Sequence, residues 1–93
     1  MSLEGLDALR VRFRERAVED LKSILEWIAS DCPVSGSIER TIHNLAGAAG
    51  TFGFADLHHA AARIDDALCA GTKVRVQDQQ ALVLALRALE TPR

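Results

Sequence analysis

Apolar residues in this chain return every three or four positions over four successive stretches, a spacing that only α-helices can turn into a continuous face. The first stretch runs from about Leu6 to Ala29, with Leu6, Leu9, Phe13, Ala17, Leu21, Ile24 and Ile28 in one stripe. Arg10 falls in the same stripe near its start, which predicts a break between Leu9 and Phe13 and a short helix leading into a long one. The alternation Arg10-Val11-Arg12-Phe13-Arg14 resembles a strand in isolation, but the helical period that follows is far longer than any strand and decides the matter. Its arginines are expected on a solvated face, partly paired with Glu15 and Glu19 one turn away.

Asp31-Cys32-Pro33-Val34-Ser35-Gly36 is the first loop, with Ser35 or Ser37 as the N-cap of the next helix. That second helix is expected to reach about Gly50, and Thr51-Phe52-Gly53-Phe54 reads as a tight interruption. A third helix turns Leu57, Ala61, Ile64 and Leu68 inward and stops at Gly71, where a left-handed residue is expected. The fourth uses Leu82, Ala85, Leu86 and Leu89, begins with Asp78 in its first turn and is followed by Pro92. No strand pattern, internal repeat or low-complexity segment competes. Short connections make consecutive helices antiparallel neighbours, so the expected fold is all-α, an up-and-down antiparallel four-helix bundle with room for a short extra N-terminal helix.

At 93 residues the whole chain, 1–93, is expected to be one domain with a core that needs neither metal nor disulfide. The hydrophobic share of 48% with only 4% aromatic residues suits helices built from Leu, Ala, Ile and Val. A net charge of −2 with no concentrated basic segment argues against a nucleic-acid partner. Cys32 and Cys69 have no ligand spacing around them, so no zinc site is expected and both thiols should be reduced. No apolar run approaches the roughly 18 to 20 residues of a membrane span and no signal-peptide pattern opens the sequence, so a cytoplasmic protein is expected. No second apolar stripe demands a partner copy, and a monomer is the default.

The second helix carries the most unusual chemistry. Ile38, Ile42, Leu45, Ala49 and Phe52 form its buried stripe, and at about 100° per residue His43 falls about 140° from Ile38, pointing outward. Gly47 projects near ~180°, Gly50 near ~120° and Ala46 near ~80°, so the neighbours of His43 on its C-terminal side are almost without side chains. Glycine inside a helix costs about 1 kcal/mol relative to alanine. Three readings account for that cost: a partner approaches His43 closely, a neighbouring helix of the same fold packs closely, or Gly50 and Gly53 mark the helix end. An exposed imidazole, largely neutral near pH 7, offers a ring nitrogen lone pair that can attack phosphorus and form a phosphoramidate. Such a transfer depends on in-line positioning more than on many side chains, so one reachable histidine makes a half-site if a partner brings the metal.

The other polar residues are less suggestive. His58 and His59 are adjacent, about 100° apart on a helix, and cannot share a metal as an i, i+4 pair would; both read as helix surface. Asp65 and Asp66 read as solvated charge and Trp27 as a packing residue at the bundle edge. No glycine-rich nucleotide loop occurs, so the chain is not a kinase by itself.

At His43, Leu45, Gly47, Ala48, Ala49 and Gly53, in that order and spacing, the sequence resembles the histidine-containing phosphotransfer (HPt) family of phosphorelays, and the helical layout extends the likeness over nearly the whole chain. The resemblance implies that His43 is the phosphoacceptor, that the phosphoryl group arrives from and leaves to receiver-domain aspartates of response regulators or a hybrid histidine kinase, and that the receiver supplies Mg²⁺, with no cofactor held by this chain. It also implies a docking surface over Glu39, Ala46, Gly47 and Gly50. One departure is Ala46, where the family commonly has a basic residue; Arg40, one turn before His43, and Arg63 on the next helix are the candidates to replace it. The alternative function is a helical module that docks receivers or other proteins without being phosphorylated.

Overall fold

The computed structural model describes residues 3–90 and shows four helices: α1 (Leu3–Ala29), α2 (Gly36–Phe52), α3 (Ala55–Ala70) and α4 (Val76–Ala88). They form an all-α up-and-down bundle in which α1 packs on α2 and α4, and α3 completes the ring between those two. Phe13, Ala17, Leu21, Ile24 and Trp27 of α1 meet Ile42, Leu45 and Ala49 of α2, Leu57, Ala61 and Ile64 of α3, and Leu82 and Leu86 of α4 in one core. Val74, in the loop before α4, joins that core without having belonged to any periodic stripe.

The expected break near Arg10 is absent, and α1 is one continuous helix of 27 residues. Its length of about 40 Å matches the longest dimension of the molecule, 41 Å, so its first turns run past the shorter helices beside it. Arg10 therefore occupies a stripe position without entering the core. It is exposed, and its Nε donates to the Phe52 carbonyl at 3.1 Å. The guanidinium thus supplies a donor and a positive charge where α2 has unsatisfied carbonyls and a negative dipole end. Directly beneath, the Phe13 ring packs on Phe52 and Phe54, with centroids 5.7 and 5.3 Å apart.

The helix ends explain the loops. Ser35, not Ser37, is the N-cap of α2, its hydroxyl accepting from the Ile38 amide at 3.3 Å. α2 continues two residues beyond the expected end at Gly50 and closes at Gly53, whose φ of 82° only glycine adopts cheaply; Phe54 N–H then donates to Ala49. Gly71 ends α3 in the same left-handed way, as its position after the apolar stripe predicts. α1 ends instead on two non-glycine residues with positive φ, Asp31 and Cys32. The turn is held by Cys32 N–H on the Trp27 carbonyl and by Trp27 Nε1, which donates to Pro33 at 2.8 Å. Trp27 is accordingly a buried packing residue whose one polar atom pins the α1–α2 loop. Pro92 lies outside the described residues.

Candidate functional site

α2 and α3 make the most extensive helix pair of the bundle. Small residues permit it: Ala46 and Ala49 of α2 and Ala60 and Ala61 of α3 are buried in the same core, and Gly50 of α2 lies against the His58 ring of α3. The hairpin turn is centred on Phe54, so residues equally distant from it in the two antiparallel helices come level. His43 stands eleven residues before that point and Asp65 eleven after it.

The His43 side chain is 71% exposed and its Nδ1 lies 3.0 Å from Oδ2 of Asp65, itself only 20% exposed. A carboxylate only accepts, so Nδ1 carries the proton, and in the neutral imidazole Nε2 is the nitrogen with the lone pair. Asp65 is thus not the solvated charge that its sequence suggests but a half-buried partner of His43. The symmetry about the turn was the available signal, but it acquires meaning only once α2 and α3 are known to be antiparallel neighbours. Asp66, next to it, is exposed as expected. The other oxygen of Asp65 has Cys69 Sγ 4.0 Å away.

The remaining expected site residues divide. Gly47 faces open space, with nothing within 4 Å of where a Cβ would stand, so the surface one turn beyond His43 is bare. Gly50 owes its lack of a side chain to the fold: a Cβ there would lie 3.0 Å from Nδ1 of His58. Ala46 must be moved from the docking surface to the core, being 7% exposed. The buried arc of α2 is wider than its apolar stripe because α1 and α3 both press on it, and the α3 side takes in Ala46. Glu39 is half-buried and lines a groove with Asp31, Thr72 and Lys73, toward the loop end of the bundle. Arg40 is exposed one turn before His43 and makes no ion pair among the described residues. Arg63 is exposed and lines the groove between α3 and α4 beside Leu84 and Ala85.

His58 also departs from its surface reading. It is half-buried and donates from Nδ1 to the Ala46 carbonyl at 2.8 Å, while His59 is exposed as expected. On the other flank of α2, Asp20 and Arg16 of α1 border Asn44 and Ala48. Burial raises the Asp20 carboxyl above its ordinary value, with Arg16 pulling it down and Glu19 adding to the rise. Burial and then Asp31 likewise push the Cys32 thiol up. Among the described residues no three His, Cys, Asp or Glu side chains converge as a metal site, and no helix is long and apolar enough to cross a membrane.

The bundle thus exposes His43 against a carboxylate of the adjoining helix, one turn from a bare glycine. The sequence model of the Hpt domain family matches residues 8–91 of the 93, and the chain belongs to that family of histidine phosphotransfer modules. No curated protein and no solved structure gives a significant match.

Proposed function

We propose that His43 accepts a phosphoryl group from the aspartyl phosphate of a response-regulator receiver and passes it to another receiver. The observation that carries this reading is the pairing of a 71% exposed imidazole with Asp65 through Nδ1, which leaves Nε2 as the nucleophilic nitrogen. Nε2 attacks phosphorus, the N–P bond forms as the acyl P–O bond breaks, and the electron pair leaves on the receiver's aspartate. The ring becomes a phosphoimidazolium that keeps its Nδ1 proton, and the Asp65 carboxylate balances the new positive charge at 3.0 Å. Donation is the reverse, with neutral imidazole as the leaving group.

The partner docks over Gly47, where no side chain obstructs the approach. Arg40 is the basic residue within one turn of His43 and meets the transferred phosphoryl group in place of a residue-46 cation. The receiver brings Mg²⁺; this chain contributes the nucleophile and its orientation and acts as a carrier, in the cytoplasm, without catalytic turnover of its own. Incubation with a phosphorylated receiver should label the wild type and not His43→Gln, and the label should be lost in acid and kept in base. Equal labelling of both proteins would remove the proposal.

The buried Ala46 favours a second reading, docking without phosphorylation, because no lysine can reach the phosphate from that position. It requires a receiver to bind both proteins equally well with neither becoming labelled.

A further inference from the structure

His58 has no part in the transfer chemistry, yet its placement is costly. A glycine inside α2 is needed to seat its ring: a Cβ on residue 50 would meet Nδ1 at 3.0 Å, Cε1 at 3.3 Å and Cγ at 3.6 Å. In return Nδ1 donates to the Ala46 carbonyl at 2.8 Å, using the second lone pair of an oxygen already engaged in the helix ladder. Along α3, His58 and Asp65 are seven residues apart, two turns, so they stand on one face with Ala61 and Ala62 between them. Along α2, their partners Ala46 and His43 are one turn apart. The two helices are therefore tied by two rungs, one half-buried and one at the surface.

The rungs differ in what they can do alone. A hydrogen bond between an exposed imidazole and a carboxylate holds weakly against water. It needs its two helices already at the right spacing and rotation. The His58 rung is shielded, ends on backbone rather than on a mobile side chain, and lies within one turn of His43. We propose that His58 is a positioning residue of the phosphotransfer site. Seated on Gly50 and bonded to the Ala46 carbonyl, it holds α3 where Asp65 keeps His43 in the Nδ1–H form. The role in transfer rests on the reading of His43 as phosphoacceptor; the effect on the His43 tautomer does not.

The test uses the full chain with His58→Leu, which removes the donor, His58→Asn, whose amide nitrogen can stand near the place of Nδ1, and Gly50→Ala, which displaces the ring. Two quantities are read well below each variant's melting temperature. One is the His43 tautomer from its ring ¹⁵N shifts; the other is the rate at which phosphoramidate phosphorylates His43. The wild type should show the Nδ1–H form. His58→Leu and Gly50→Ala should shift His43 toward the Nε2–H form that free histidine prefers and slow labelling by about tenfold, with His58→Asn recovering most of both. An unchanged His43 tautomer in a folded His58→Leu or Gly50→Ala protein overturns the proposal and leaves His58 merely structural. If His58→Leu does not fold, Gly50→Ala decides alone. Absence of labelling in the wild type would refute the phosphoacceptor reading while the ring shifts still judge His58.

Discussion

Gly47 and Gly50 are one turn apart in α2, yet alanine at the two positions should have opposite consequences. Relative to glycine, alanine in a helix interior gains about 1 kcal/mol, largely by restricting the unfolded chain. At Gly47 nothing lies within 4 Å of the added Cβ, so that gain is kept whole. For a domain of this size it raises the melting temperature by about 4–8 °C. At Gly50 the same gain is opposed twice. The His58 ring must move from a 3.0 Å approach, and the 2.8 Å bond to Ala46, worth about 1 kcal/mol net, is lost with it. The sum is near zero or about 1 kcal/mol unfavourable, so the melting temperature should stay level or fall by up to about 8 °C. Thermal melts followed by circular dichroism, with the same pair of substitutions repeated in a His58→Ala background, measure both terms. In that background Gly50→Ala should recover most of the gain seen at Gly47, because the obstructing ring is gone. Equal stabilisation at both positions in the wild type, or a Gly50 deficit that persists without the ring, would refute the reasoning.

Gly47→Leu should melt within a few degrees of the wild type while weakening receiver binding by at least about tenfold, or ~1.4 kcal/mol, in a calorimetric titration; unfolding would instead mark Gly47 as a packing residue. Asp20→Asn should stabilise the protein at pH 7 by a few tenths of a kcal/mol, since burial penalises the charged carboxyl and its partial exposure limits the effect. Because the folded value lies above the unfolded one, the native state binds more protons between them and wild-type stability falls as pH rises through that window. The advantage of Asp20→Asn should therefore vanish below the ordinary carboxylate range, and a difference independent of pH would contradict the assignment. Trp27→Phe deletes the 2.8 Å bond to Pro33, worth about 1 kcal/mol, and also shortens a buried ring, so the melting temperature should fall by at least several degrees; an unaltered melt would show that the α1–α2 loop depends on neither.

The bundle was legible in the sequence wherever helix-forming information is local. Apolar spacing located all four helices, Gly71 marked the end of α3, and Ser35 was one of two candidate caps. Arg10 stands in the apolar stripe without breaking the helix, which the sequence does not explain. In the folded chain α1 outruns its neighbours and the arginine caps α2, a partner 42 residues away. Ala46 misled because a projection from a single stripe cannot know how many helices will press on α2.

Sequence alone determined which segments are helical and that His43 turns outward, since both follow from a 100° step and the separation of apolar from polar positions. Tertiary structure decided what surrounds that histidine: Asp65 on Nδ1, Gly47 open, Gly50 filled by the His58 ring, Ala46 withdrawn into the core and Arg63 turned to another groove. Each of these depends on the rotation and spacing of α3 against α2, and those are fixed by packing among residues distant in the chain rather than by the period of either helix.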